Sequence, residues 1–145
     1  MQIHEKNLER ISLKDGQGRE AGALYYVPCD FGLASRVGEL TQLFPGIVVT
    51  VRSMRPRPDG SVDAENAEQL HEAEETLCAA LDYVCGVMTS QEVFSVHRPF
   101  AVVDGDIWAT TVVEALTSIM PRLMERMEYV ARITGREKRS WRKRK

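Results

Sequence analysis

The chain has 145 residues, 43% of them hydrophobic and 28% charged, a composition that excludes a disordered or membrane-embedded class and favours one globular domain. Its formal net charge of −2 hides an asymmetry, because eight of the 19 basic residues lie in the last fourteen positions beside a single acid. We therefore predict an acidic domain over residues 1–135 and a flexible basic tail over residues 136–145.

The first predicted element is a β-hairpin over about residues 10–27. In "RISLKDGQGREAGALYYVP", Ile11 and Leu13 alternate with polar neighbours, "DGQG" supplies turn residues, and "ALYYV" is rich in strand-forming side chains. Two strands alone are only marginally stable in water. The hairpin is therefore expected to pack against the helices that follow.

A first helix is predicted over about residues 30–44, with Asp30 as its N-cap and Pro45-Gly46 as its end. Its apolar positions fall at helical spacing: Leu33, Val37, Leu40 and Phe44. The next segment, "IVVTVRSM" at 47–54, is rich in β-branched residues and leaves strand and helix both open. "RPRPDGS" is predicted to be an exposed loop.

Two longer helices follow, over about residues 63–85 and 106–133. Asp63 is the predicted N-cap of the first and Gly86 its stop signal; Asp106 is the predicted N-cap of the second. Pro121 lies inside the second pattern, where it removes a backbone donor and predicts a kink or a short break. The sum is a mainly α (α+β) domain, with an N-terminal β-hairpin packed on a small helical domain.

The connection between these helices, "VCGVMTSQEVFSVHRPFAVVDGDIW", is more apolar than an ordinary linker. It could close the core, bind a partner or form the wall of an active site. The residues themselves leave these three roles open. Asp104-Gly105 is interpreted as a turn before the last helix.

No catalytic or metal-binding motif is complete. His71 and Glu75 are four apart, but the second histidine of a zinc-protease helix is missing, so we interpret His71 as a surface residue. His97 is interpreted as a hydrogen-bonded loop histidine, and a small hydrolase or metal enzyme using either histidine stays a weaker alternative. Cys29, Cys78 and Cys85 have neither zinc nor disulfide spacing and are interpreted as free, buried thiols. No cofactor and no metal are predicted.

The basic tail supports an alternative function. In "TGREKRSWRKRK" a tryptophan is flanked by cations, a pattern that can stack on a base while the charges neutralise phosphates. A small nucleic-acid-binding regulator would use these residues: Arg139, Trp141, Arg142, Lys143, Arg144 and Lys145. The acidic body opposes a broad DNA footprint, so weak nucleic-acid contact is the expectation.

Two stretches, "LYYVPCDFGLASRVGEL" and "DYVCGVMTSQEVFSVHRPFAVVDGDIWATTVVEAL", resemble the tail assembly chaperones of prophages and long-tailed phages of Gram-positive bacteria. In that family a strand ending in proline and aspartate leads into a first helix, and later a glycine turn, a "VF" pair, a proline and an Asp-Gly turn precede the last helix. The matching positions are Pro28, Asp30, Gly86, Thr89, Ser90, Val93, Phe94, Pro99, Asp104 and Gly105. The likeness spans most of residues 20–118.

The resemblance implies a non-enzymatic protein that binds the tape measure protein and recruits tail tube subunits during phage tail assembly. It also implies that Phe94 and Phe100 dock across the two long helices and close the core. A tape measure protein is long and helical, so apolar anchors on one surface would hold it in a helix-in-groove mode. The candidate anchors are Met120, Met124 and Met127, and also Val37, Leu40 and Met54. The methionine cluster is preferred, because flexible thioethers adapt to several partner sequences.

Location and assembly are expectations of the same kind. No run of apolar residues is long enough to cross a membrane, and "MQIHEKNLER" lacks the apolar core of a signal peptide, so we expect the cytoplasm of a bacterial host and no membrane contact. The oligomeric state is left open, a homo-oligomer included, as is a longer frameshifted product of the kind found in some members of the family.

Overall fold

A computed structural model of the protein describes residues 8–28 and 30–143, and the side chains of these residues except 130 and 134–143. Its elements in chain order are β1 (Glu9–Lys14), β2 (Glu20–Tyr26), α1 (Leu33–Arg52), α2 (Ala64–Cys85), α3 (Thr89–Val93), β3 (Val102–Val103), β4 (Asp106–Ile107), α4 (Trp108–Ser118) and α5 (Met120–Lys143). The fold is mainly α with an N-terminal β-hairpin, which confirms the predicted class.

Strands β1 and β2 pair antiparallel, with Ile11 opposite Leu24 and Leu13 opposite Gly22. The turn forms because Asp15 Oδ1 accepts hydrogen bonds from the backbone N–H groups of Gln17 and Arg19, at 2.9 and 3.0 Å. One face of the hairpin is buried, as the alternating pattern predicts.

Helix α1 is longer than predicted, because it continues through Pro45 to Arg52. Residues 47–52 are therefore helical, which settles the choice left open for that segment. Proline removes one backbone bond, but Phe44 and Ile47 are both buried, so the core packs against the helix on both sides of Pro45. The prediction that Pro45-Gly46 ends the helix is wrong because packing of the apolar face outweighs the lost bond.

Asp30 does not cap α1, whose N-cap is Gly32. Its Oδ1 accepts from the backbone N–H of Gly32 at 2.9 Å, and its Oδ2 accepts from Arg36 at 2.5 Å. Arg36 also donates through Nε to the carbonyl of Val84, so the pair ties the start of α1 to the end of α2. The carboxylate thus stabilises a turn before the helix and an inter-helix contact.

The Asp30–Arg36 pair predicts a pH-dependent contribution to stability. The hydrogen bond from Arg36 holds the pKa of Asp30 below its ordinary value. A carboxyl whose pKa is lower in the folded state stabilises the protein above its unfolded pKa of about 4, and that contribution is lost as the pH falls through the folded value.

Replacing Asp30 with asparagine is therefore expected to lower the free energy of unfolding near neutral pH and to change it much less at about pH 3. The coupling free energy between the two side chains is measured by urea denaturation at both pH values. The cycle compares the wild type, Asp30→Asn, Arg36→Gln and the double variant. The expectation is coupling near neutrality that disappears in acid; coupling of equal size at both pH values would contradict it.

Helix α2 begins and ends where predicted. The Asp63 carboxylate accepts from the backbone N–H of Asn66 at 2.8 Å, and Gly86 terminates the helix with a φ of 114°. Glycine adopts such a backbone without steric cost. Both boundary signals are confirmed.

The apolar connection closes the core, as expected. Val93 is fully buried, Phe94 and Phe100 pack against the core, and α3 contacts β2 and α2. Trp108 Nε1 donates to the carbonyl of Val93 at 2.8 Å, which joins α3 to the start of α4. Asp104 and Gly105, with φ of 55° and 87°, form the predicted turn, here between β3 and β4.

The predicted helix over 106–133 is two helices, α4 and α5, with a break at Ile119 just before Pro121, as the proline predicted. Asp106 lies in β4 and does not cap α4, whose N-cap is Ile107; its carboxylate instead accepts from Arg52 at 3.2 Å. Helical backbone continues to Lys143, beyond the predicted end near 133. Arginine, lysine and glutamate are good helix formers even without an apolar face, which explains the extension into the tail.

The core is one cluster to which the hairpin and all five helices contribute. Its largest fully buried side chains are Trp108, Leu13, Leu24, Leu33, Leu40, Leu77, Leu81, Leu116, Leu123, Val37, Val84 and Val93. Among the described side chains of α5, Leu123 is the last that is fully buried, and Met127, one turn later, is half-buried against the core.

Candidate partner-binding surface

The sequence-predicted chemical groups do not converge on a reactive centre. In the described part of the chain, no three His, Cys, Asp or Glu side chains are placed to hold one metal ion. His71 is exposed and pairs with Glu75 at 2.9 Å on the surface of α2, as interpreted from the sequence.

His97 differs from its prediction. It lies in a loop with its ring edge-on to Trp108, at 5.0 Å between centroids, but its Nε2 makes no hydrogen bond within the described residues. The nearest carboxylate oxygen is Asp15 Oδ2 at 3.9 Å, beyond hydrogen-bond distance. The ring therefore packs against Trp108 of the core.

The cysteines that the structure describes, Cys78 and Cys85, are free and half-buried. Burial raises the pKa of Cys85 to about 11. Burial, and to a smaller degree the charge of Glu74, raises the pKa of Cys78. A thiol with a raised pKa stays protonated near neutrality and is a poor nucleophile. Both are free, as interpreted, but half-buried and not fully buried, and Cys85 packs against the core. Cys29 lies outside the described residues.

The six predicted partner anchors have very different exposures. Val37 and Leu40 are buried in the core, so the prediction that they contact a partner is wrong. Met54 is half-buried just beyond the end of α1, and Met120 and Met127 are half-buried against the core. Only Met124, at 52%, is an exposed anchor.

Helix α5 exposes two further apolar side chains that the sequence reading missed. Tyr129 is 58% exposed and Ile133 is 38% exposed, and both follow Met127, which packs against the core. Tyr129 and Ile133 are four residues apart and lie on one face of the helix, which we name the α5 surface. Met124 is nine residues from Ile133, so it lies on the opposite side of the helix. The signal of the α5 surface in the sequence was weak, because arginines and glutamates surround its two residues and hide the apolar spacing.

One groove runs between the hairpin and α5, with a volume of about 470 Å³. Glu9 and Tyr26 form its hairpin side, and Arg122, Arg126 and Tyr129 belong to its helix side. The Glu9 carboxylate accepts from Tyr26 Oη at 2.9 Å and from Arg122 at 3.1 Å, so its charge is already neutralised. Glu125 and Arg132 also line the groove, so its lining carries charges of both signs.

A second groove, the α1–α2 groove, is shallower, with a volume of about 590 Å³. Residues from both helices line it: Leu43, Gly46, Ile47, Val49, Thr50, Ser53, Gln69, Glu72, Ala73 and Thr76. Leu43 and Val49 are exposed in it, at 40% and 68%. Its lining mixes these apolar side chains with polar ones, and its acidic member, Glu72, lies on the α2 side.

The residues of the nucleic-acid alternative lie at the end of the chain. Positions 139–143 belong to the helical backbone of α5, and Arg144 and Lys145 lie outside the described residues. The structure thus places the tryptophan and three of its basic neighbours on one helix. It describes none of their side chains.

None of the described helices has the length and apolar content that crossing a membrane requires. Comparison with known proteins finds no matching family model, no similar curated protein and no similar solved structure.

Proposed function

We propose that this protein is a non-enzymatic assembly chaperone or adaptor of phage tail morphogenesis, acting in the cytoplasm of the bacterial host. Its partner in this proposal is the tape measure protein, to which it recruits tail tube subunits. The proposal takes the identity of the partner from the resemblance of residues 20–118 to tail assembly chaperones. It takes the mode of binding from the surface of α5.

The observation that supports a binding role is the exposure of apolar side chains on one face of α5. Leu123 is 1% exposed, whereas Tyr129 and Ile133, within the next ten residues, are 58% and 38% exposed. A helix presenting apolar side chains to water gains free energy when a partner covers them, at roughly 25 cal/mol per Å² buried. A long helical partner suits such a surface, because two helices can pack side by side.

Co-expression with the long helical protein encoded nearby, followed by affinity capture and washing at high salt, tests the proposal. High salt screens the attraction of the basic tail and leaves apolar contacts in place. We expect the complex to survive the wash and to survive deletion of residues 136–145. Serine at Tyr129 and Ile133 together should lower recovery at least about tenfold, the equivalent of about 1.4 kcal/mol.

The matched control places serine at Val87 and Val102, which are also exposed apolar residues but lie on the α2–α3 turn and on β3. The control variant should bind like the wild type. Met120 and Met127 are left unchanged because both pack against the core and serine there would destabilise the fold. No complex with the tape measure protein, together with DNA retention that falls steeply with salt, would support the nucleic-acid alternative instead.

A further inference from the structure

We propose that the α1–α2 groove binds α5 of a second copy of this chain, so that the protein self-associates through an acidic groove and a basic helix. This inference does not depend on the proposed function. It rests on the shape of the groove, on its charge and on the composition of α5.

The groove has the shape that close approach of a helix requires. A Cβ atom added at Gly46 would meet no atom within 4 Å, so the space above this glycine is open. Gly46 and Ala73 are the smallest lining residues, and Leu43, Ile47 and Val49 supply apolar area beside them. Small residues let another backbone come near, while the larger apolar side chains give it surface to bury.

The α2 side of the groove is strongly acidic. Helix α2 contains six carboxylates and no lysine or arginine: Glu65, Glu68, Glu72, Glu74, Glu75 and Asp82. Glu74 pairs with Arg98 and Glu75 with His71, whereas Glu65, Glu68 and Glu72 are exposed and have no ion pair in the described part of the chain. Helical spacing places these three along one side of α2, beside the groove.

Helix α5 has the opposite composition. From Arg126 to Lys143 it contains seven lysines and arginines against two glutamates, and it exposes Tyr129 and Ile133 at its start. These eighteen residues span about 27 Å as a helix, enough to run the length of the groove along α2. An amphipathic basic helix is the complement of a groove with apolar side chains and an acidic rim on the α2 side.

The occupant is a second copy because α5 is continuous from Met120 to Lys143 and packs chiefly against α1 and α4 of its own copy. Reaching its own α2 would require the helix to break. In a two-fold dimer each copy supplies one α5 and one groove, so both are filled and the assembly closes. Self-association would cover Tyr129 and Ile133, and partner binding through the α5 surface would therefore compete with it.

Sedimentation velocity of the purified, nuclease-treated full chain tests the inference. At low salt we expect a dimer that dissociates toward monomer as salt or dilution increases. The charges of the rim are exposed, so added salt screens their attraction to α5. Glu68→Lys with Glu72→Lys should give monomer, as should Arg132→Glu with Arg136→Glu. An equimolar mixture of the two variants should recover a heterodimer, which also shows that both are folded.

A steric variant tests the shape of the groove separately from its charge. Gly46→Gln should abolish the dimer, whereas Gly38→Gln, at a glycine of the same helix that is also free of neighbours within 4 Å, should leave it intact. A monomer under all conditions, or a dimer unaffected by Glu68→Lys with Glu72→Lys, would overturn the inference. If Gly46→Gln abolishes the dimer but the variant still captures the tape measure protein, self-association and the proposed function are separate properties.

Discussion

Replacing Trp108 with phenylalanine is expected to lower the free energy of unfolding by about 3 kcal/mol, combining a lost buried hydrogen bond with a residual cavity. The indole is 1% exposed, and its Nε1 donates to the carbonyl of Val93. No other described donor forms a hydrogen bond with this carbonyl. Phenylalanine preserves most of the apolar area but leaves that buried carbonyl without its donor. Alanine should cost more, about 3 to 5 kcal/mol.

Urea denaturation followed by circular dichroism measures this loss without relying on tryptophan fluorescence. Tyr83→Phe is the matched control, since this aromatic ring is exposed and its replacement should change the free energy of unfolding by no more than about 0.5 kcal/mol. If Trp108→Phe were equally neutral, the connection over 86–107 would not be held to the core through Val93. Its apolar residues would then need another explanation, such as a partner.

The sequence predicted the elements whose signals are local. Asp63 and Gly86 mark the ends of α2 because a side-chain cap and a left-handed backbone are properties of single residues. Pro121 marked the break between α4 and α5 for the same reason. Pro45 gave the same local signal, but α1 continues through it. Other elements bury Phe44 and Ile47, and this packing outweighs the cost of the missing backbone hydrogen bond.

The candidate surface was less predictable, because exposure depends on which elements cover a helix. Val37 and Leu40 show the same apolar spacing that a docking face would show, and only the packing of the hairpin and of the other helices reveals that they are core. The grooves join residues far apart in the chain: Glu9 contacts Arg122, and α1 meets α2 across a loop. No local pattern encodes such a juxtaposition.

Replacing Gly22 with alanine is expected to lower the free energy of unfolding by about 2 to 4 kcal/mol, a range typical of overpacking added to backbone strain. Its φ is 155°, and an added Cβ would lie 2.9 Å from the carbonyl oxygen of Glu92 and 3.2 Å from Cα of Val93. Both neighbours are backbone atoms of α3, which cannot rotate away as a side chain can. The alanine would therefore push α3 off the hairpin.

Gly18→Ala separates the two causes, because Gly18 also has a positive φ, 78°, but has nothing within 4 Å of an added Cβ. It should cost only the strain of a left-handed alanine, about 1 kcal/mol. The excess at Gly22 then measures the close approach of α3. Since Val93 on α3 accepts the indole N–H of Trp108, displacement of α3 should also accelerate hydrogen exchange of that N–H in Gly22→Ala and leave it unchanged in Gly18→Ala. Equal stability and equal exchange in the two variants would mean that α3 is not held by the hairpin, and that the core is closed by α4 alone.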